Sequence, residues 1–571
     1  MAETQTSYTD ALLLLVVDKA LVSAEQAEDI QEEHRHTGKP VRGILLDMQV
    51  VSEDKLLEVI AEYLGVRVVN LPATDIPPDV IHSVPASVAR MYNAVPVSAG
   101  SNSVELAVYD MLTPQVMDEL AFVLTSDVTF ALARQEDVTT YINQFYGDDS
   151  DTVNEMLSAL ESEFDSNLDG IASGEEDDLK GIEEVAGSTP VIRFVNLVLY
   201  QAVNDRASDI HFEPFEKEFK IRYRVDGALY EMAPPPKRLA MPIISRIKVM
   251  SGLNIAERRL PQDGRIQLSI GGRLIDLRVS TLPTQFGESV VLRVLDRSVV
   301  SLDIENLGMP EDVHESFLRD IVKPNGIIVV TGPTGSGKTT TLYSGLRRLN
   351  KTERKILTAE EPVEYDIDGI IQVPIVHATG NTFAKVLRAF LRQDPDVMMV
   401  GEIRDLETAQ TAVQASLTGH LVFSTLHTND AAGAITRLID MGVEPYLISS
   451  TIEAVLAQRL VRVVCEQCKA AYQPDQEILE RLNLMADDVG DRPFHYGAGC
   501  ARCSETGYYG RRGIYEYLSI TEPIRQLINE RKPTLTIRSR AVELGMRTLR
   551  EDGIRNVLDG YTTVDEVLKY T

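Results

Sequence analysis

The chain has 571 residues, 86 acidic and 56 basic, with a formal charge of −30. That length exceeds what one hydrophobic core supports and predicts several domains, while the acidic balance argues against a nucleic-acid partner, whose phosphates Lys and Arg would have to meet. No run of about 18 apolar residues occurs, so no transmembrane helix is predicted, and "ALLLLVV" (Ala11 to Val17) ends at Asp18 and Lys19 with no basic segment before it, unlike a secretory signal.

Residues 1–146 open with an internal repeat. "VVDKALVSAEQAEDI" (Val16 to Ile30) and "LLDMQVVSEDKLLEV" (Leu45 to Val59) share apolar spacing, a Ser placed to cap a helix and an acidic first turn. Paired helical hairpins are predicted, followed by a small α+β unit carrying "VELAVYD" and "VTFALA". Residues 147–187 form an acidic linker. Asp148 to Glu184 holds fourteen acidic residues and one Lys, too little apolar surface to offset the cost of ordering. Residues 188–300 read as an α+β domain, with a helix in "TPVIRFVNLVLYQAV" and hairpins turning at Asp226-Gly227 and Gly271-Gly272. Its strands carry Arg224, Arg278 and Arg293, whose planar cations suit either salt bridges or a bound triphosphate.

In residues 301–463, "GIIVV" reads as a buried parallel strand and leads into "TGPTGSGKTT" and the helical "TLYSGLRRL". Strand, glycine loop and helix in that order form a phosphate cradle of Gly332, Pro333, Thr334, Gly335, Ser336, Gly337, Lys338, Thr339 and Thr340. Its backbone N–H groups and helix N-terminus face the anion, Lys338 reaches the β- and γ-phosphates, and the Thr339 hydroxyl ligates Mg²⁺. ATP with Mg²⁺ is the expected ligand. Three later segments end strands on polar groups: "ILTAEEPVEY" with Glu360, Glu361 and Glu364, "DVMMVGEIRD" with Glu402, and "GHLVFSTLHT" with His420 and His427. A carboxylate at the tip of the strand beside the loop can organise Mg²⁺ or water, and a histidine near the γ-phosphate can sense hydrolysis. In residues 464–515, Cys465, Cys468, Cys500 and Cys503 form two C-x-x-C pairs and are the only cysteines of the chain. That pattern points to tetrahedral Zn²⁺, with a redox dithiol as the alternative. Residues 516–571 read as helices.

The four segments resemble the Walker A, aspartate, Walker B and histidine boxes of the secretion ATPase superfamily, the ring motors of type II secretion and type IV pilus assembly. The resemblance extends through "ASDIHFEP", "RLPQDGRI" and "LAQRLVR" to the cysteine pairs. It implies a multidomain α/β fold: a RecA-like P-loop core, preceded by the α+β (PAS-like) domain. It also implies Glu360 as general base, Glu402 as the metal-site carboxylate, His420 and His427 as the histidine-box pair, structural zinc, and arginines of the preceding domain at the nucleotide. The aspartate box usually reads Glu-Asp-Pro, and here Glu361 stands for the Asp. The stretch around the histidine box is closer to type II secretion ATPases than to pilus assembly ATPases. A homo-hexamer is implied, cytoplasmic and held at the inner membrane through a platform protein and a cytoplasmic or bitopic adaptor. The front repeat resembles modules that bind cyclic di-GMP through an Arg-Leu-Gly start and a second Gly. Ala11, Leu12 and Leu13 with Ala20, then Val41 and Arg42 with Gln49, stand at those positions, so cyclic di-GMP is not expected.

Overall fold

The computed structural model describes residues 10–146, 189–296 and 302–571, apart from short interruptions of which 112–115 is the longest. The acidic linker lies outside the described residues, as does the Gly271-Gly272 turn. The chain divides into two compact units, 1–299 and 300–571.

The repeat folds as two helical hairpins, α1 (Ala11–Asp18) with α2 (Ala24–Thr37) and α3 (Val41–Asp47) with α4 (Glu53–Leu64). Ser23 and Gln26 bond each other reciprocally at the start of α2, whereas Ser52 precedes α4 without a side-chain cap. Ala20 and Gln49, at the second-glycine positions, adopt left-handed backbone with φ of 56° and 54°. The turn geometry therefore survives loss of those glycines. Past α5 (Pro78–Ile81) and α6 (Ala86–Met91) comes a three-stranded sheet of β1 (Val95–Ala99), β2 (Ser103–Val108) and β3 (Asp127–Leu132), then α7 (Gln135–Tyr146).

After the linker, α8 (Thr189–Asn204) and α9 (Ala240–Met250) pack on one face of a six-stranded antiparallel sheet in the order β6-β5-β4-β9-β8-β7. Its strands are β4 (Ala207–Pro214), β5 (Phe219–Val225), β6 (Ala228–Glu231), β7 (Gln262–Ile270), β8 (Arg273–Thr284) and β9 (Gly287–Asp296). Period-2 alternation puts Ile210, Tyr223, Leu277 and Leu292 in the core and sends their neighbours to the other face.

The second unit is built on a seven-stranded sheet in the order β12-β11-β13-β14-β10-β15-β18. Its strands are β10 (Gly326–Thr331), β11 (Ile356–Glu360), β12 (Ile371–Pro374), β13 (Val397–Val400), β14 (Leu421–Leu426), β15 (Ile452–Val464) and β18 (Tyr508–Ser519). The first six are parallel and β18 is an antiparallel edge. Ile327 and Val329 pack toward α12 (Phe383–Phe390), α13 (Leu406–Leu417) and α14 (Ala431–Asp440). Ile328 and Val330 pack toward α10 (Glu311–Ile321) and α11 (Lys338–Leu349). Helices thus cover both faces, which is why β10 reads as continuously apolar.

Candidate nucleotide and metal sites

Strand β10 delivers the P-loop and α11 leaves it, so the loop lies at the C-terminal edge of the parallel strands. Gly332, Gly335 and Gly337 have φ of 152°, 77° and 85°, values that side chains rarely adopt. Ser336 is buried with its hydroxyl unpartnered, while Pro333, Thr334, Gly335 and Thr339 are exposed and Thr340 is partly so. The Lys338 ammonium folds back to the carbonyls of Gly332 and Pro333 at 2.8 and 2.9 Å. Burial lowers its pKa to about 8, against the opposing pull of Glu402.

The sheet order corrects one expectation. Glu402 follows β13, and β14 lies between that strand and β10, so its carboxylate does not tip the neighbouring strand. It nevertheless faces the same edge, in a chain of charges. Glu402 pairs with Arg404 at 2.5 Å and with His427 at 3.3 Å. Arg404 also pairs with Glu361 at 3.4 Å, and Glu361 with His377 at 2.6 Å. Sequence reasoning missed Arg404 and His377, because neither position carries a periodic or spacing signal. Thr428 follows His427 and locks to the end of β10 through Thr331, hydroxyl to hydroxyl at 2.7 Å.

Two expected site residues stand apart. His420 precedes β14 and bonds Thr418 and the Ala415 carbonyl. Because β14 runs parallel to β10 with Leu421 opposite Gly326, His420 sits at the far end of the strand, roughly 20 Å from His427 at 3.3 Å per residue. The two box histidines therefore do not converge. Glu360, expected as base, is 3% exposed and accepts from the hydroxyls of Tyr343 and Thr358 and from Gln372 Nε2 at 3.1 Å. Burial and the adjacent carboxylate push the Tyr343 phenol up, keeping it a donor. Here Glu360 braces β11 and β12 against α11.

In the first unit the register aligns Arg224, Asp209, Arg293, Arg278 and Arg265 directly across β5, β4, β9, β8 and β7. All five lie on the face away from the helices. Asp209 pairs with Arg293 at 3.2 Å and Arg224 at 3.6 Å. The expected arginines thus form one row, with Arg265 added.

The cysteine pairs flank the β15–β18 hairpin and a small sheet of β16 (Lys469–Tyr472) and β17 (Phe494–Gly497). The four sulfurs lie within 4.8 Å of one another. Cys465 to Cys500 and Cys468 to Cys503 are 3.8 Å, and Cys500 to Cys503 is 3.7 Å. Zn–S bonds of about 2.3 Å put tetrahedral sulfurs about 3.8 Å apart, whereas a disulfide needs about 2.05 Å. Backbone N–H groups of Cys500 and Gly507 point at Cys503 Sγ, as a thiolate requires. The residues fit zinc.

Residues 184–569 match the sequence model of the family described as type II/IV secretion system protein. The chain belongs to that family. It is an ATPase of the family, and residues 64–152 also match the MshEN domain. Similar proteins include the type II secretion system protein E of Xanthomonas campestris pv. campestris, 42% identical over 99% of this chain and 98% of that one. The type IV pilus assembly ATPase PilB of Myxococcus xanthus is 40% identical over 98% of both. Type II secretion system protein E of Pseudomonas aeruginosa is 52% identical over 70% of this chain and 78% of its own. Among solved structures, the Legionella pneumophila ATPase DotB superposes with a TM-score of 0.50 at 23% identity, covering 66% of this chain and 94% of that one. That likeness speaks for the fold. No helix among the described residues is long and apolar enough to cross a membrane.

Proposed function

We propose that this family member is the motor of a type II secretion system, a cytoplasmic hexamer whose ATP hydrolysis drives pseudopilus assembly at the inner membrane. The observation that carries the choice is the identity pattern: 42% to a secretion protein E over 99% of the chain against 40% to PilB over 98%, with a second protein E at 52% over 70%. Pilus extension is the second reading, because PilB matches nearly the whole chain only two percentage points below the full-length protein E. Lys338 would hold the β- and γ-phosphates, and Glu402 would orient the attacking water, with His427 reading the γ-phosphate through its contact with Glu402. Thr339 and Glu402 would hold Mg²⁺, which neutralises phosphate charge. Glu360 is assigned to positioning. Arginines directly opposite one another repel, and a polyphosphate would relieve that cost in the row of Arg224, Arg293, Arg278 and Arg265. Zinc on the four cysteines would close the base of the hairpin. The front unit would dock the adaptor, without cyclic di-GMP. Introducing the gene into a host lacking its secretion ATPase, and separately its pilus assembly ATPase, tests the choice: restored exoprotein release without restored piliation is expected. Restored piliation alone would reverse it, and DNA-stimulated hydrolysis by the purified protein would overturn both readings.

A further inference from the structure

Gln458 lies midway along β15, flanked by β10 and β18. Its side chain is buried, and although it falls in the "LAQRLVR" stretch, neither the four boxes nor the charged network gives it a role. Its Nε2 donates to the Ser336 carbonyl at 2.6 Å, and its Oε1 accepts from the Thr341 hydroxyl at 2.8 Å. One side chain from outside the loop therefore spans the last turn of the P-loop and the first turn of α11. Chemistry fixes the amide's orientation, because a carbonyl only accepts and the NH₂ end must face Ser336.

A trans peptide is planar, with its C=O and N–H pointing in opposite directions. Drawing the Ser336 carbonyl toward Gln458 aims the Gly337 N–H away from β15. That N–H belongs to the helix N-terminus, where an anion gathers such donors. Packing leads to the same residue: a Cβ at Gly337 would meet Gln458 Nε2 at 3.0 Å, and one at Gly332 would meet the Gln458 carbonyl oxygen at 2.6 Å. Both glycines are needed as much for this close approach as for their φ values.

We propose that Gln458 is a positioning residue for phosphate binding, setting the Ser336–Gly337 peptide so that the Gly337 N–H meets the nucleotide. The proposal rests on the P-loop reading. Titration of the purified chain with fluorescent ADP separates the two: no binding by the unsubstituted protein would sink both, whereas the variants bear on Gln458 alone. Gln458→Met keeps the volume and removes both hydrogen bonds. Its dissociation constant for ADP and its KM for ATP are expected to rise roughly tenfold, with kcat within about twofold, because the phosphate contact serves ground and transition states alike. Gln458→Glu keeps the shape and can donate to Ser336 only when protonated, so its deficit relative to the parent should shrink between pH 8 and pH 6. A Gln458→Met protein that melts like the parent and binds ADP like the parent would overturn the proposal. If Gln458→Met does not fold, a pH-independent Gln458→Glu deficit would overturn it.

Discussion

Lys338 donates to two carbonyls of its own loop, and burial lowers its pKa from 10.5 to about 8. Folding therefore disfavours the charged lysine below pH 8, a cost that fades as pH rises from 8 to 10.5. Bound phosphate favours the ammonium, so binding takes up a proton wherever Lys338 is neutral beforehand. Nucleotide affinity should be flat in this respect below pH 8 and fall up to tenfold per pH unit above it. Fluorescent ADP titrations from pH 7 to 9.5 check this, and a flat profile would remove Lys338 as the responsible group. At the carboxylates, Glu402→Gln should retain nucleotide and lose about 100-fold or more in kcat. Glu360→Gln should instead lower the melting temperature by several degrees and weaken binding, since it replaces one of the two buried acceptor oxygens by a donor facing either Tyr343, or Thr358 and Gln372. Normal stability and binding with abolished turnover in Glu360→Gln would restore it as the base. The glycine loop and Lys338 were legible in sequence because their spacing is itself the chemistry. Burial of Glu360 was not, since it depends on three donors from different positions.

Among the elements, the β15–β18 hairpin joins the two candidate sites. Its middle carries Gln458 against the P-loop, and its end carries Cys465, whose N–H donates to the Gly507 carbonyl at 3.0 Å. Cys500→Ser should lower bound zinc well below one per chain and make the segment between Cys465 and Cys503 protease-sensitive, because thiolate ligation and local folding are coupled. Metal analysis finding no zinc in reductively purified parent protein would count against the site. Glu516 adds a second tie: its buried carboxylate accepts from Ala431 N at 2.8 Å and Leu549 N at 3.3 Å, at the starts of α14 and of the helix Leu549–Leu558. The cysteine pairs could be read from spacing, but β18 runs to Ser519, into the segment read as helices. The separation of His420 from His427 could not be read, because the distance along a strand matters only once its direction in the sheet is known.

For the whole molecule, the arginine row and the P-loop lie in separate compact units. If the row completes a neighbour's nucleotide site, Arg278→Ala and Lys338→Ala proteins, each inactive alone, should regain partial ATPase activity when co-assembled. Some mixed interfaces would then pair an intact Arg278 with an intact Lys338, and head-to-tail contacts of that kind close into rings. Verified mixed rings with no activity above either parent would place Arg278 in cis or in a structural role. Sequence by itself determined the P-loop, the tetracysteine set and the repeat, because each is written in short-range spacing or period. Tertiary structure alone decided that Glu402 sits two strands from the loop, that Glu360 is buried beneath three donors, that four arginines share one register, and that Gln458 holds the Ser336 carbonyl. Those are consequences of strand order and cross-strand register, which in the case of Gln458 and Ser336 join residues 122 positions apart.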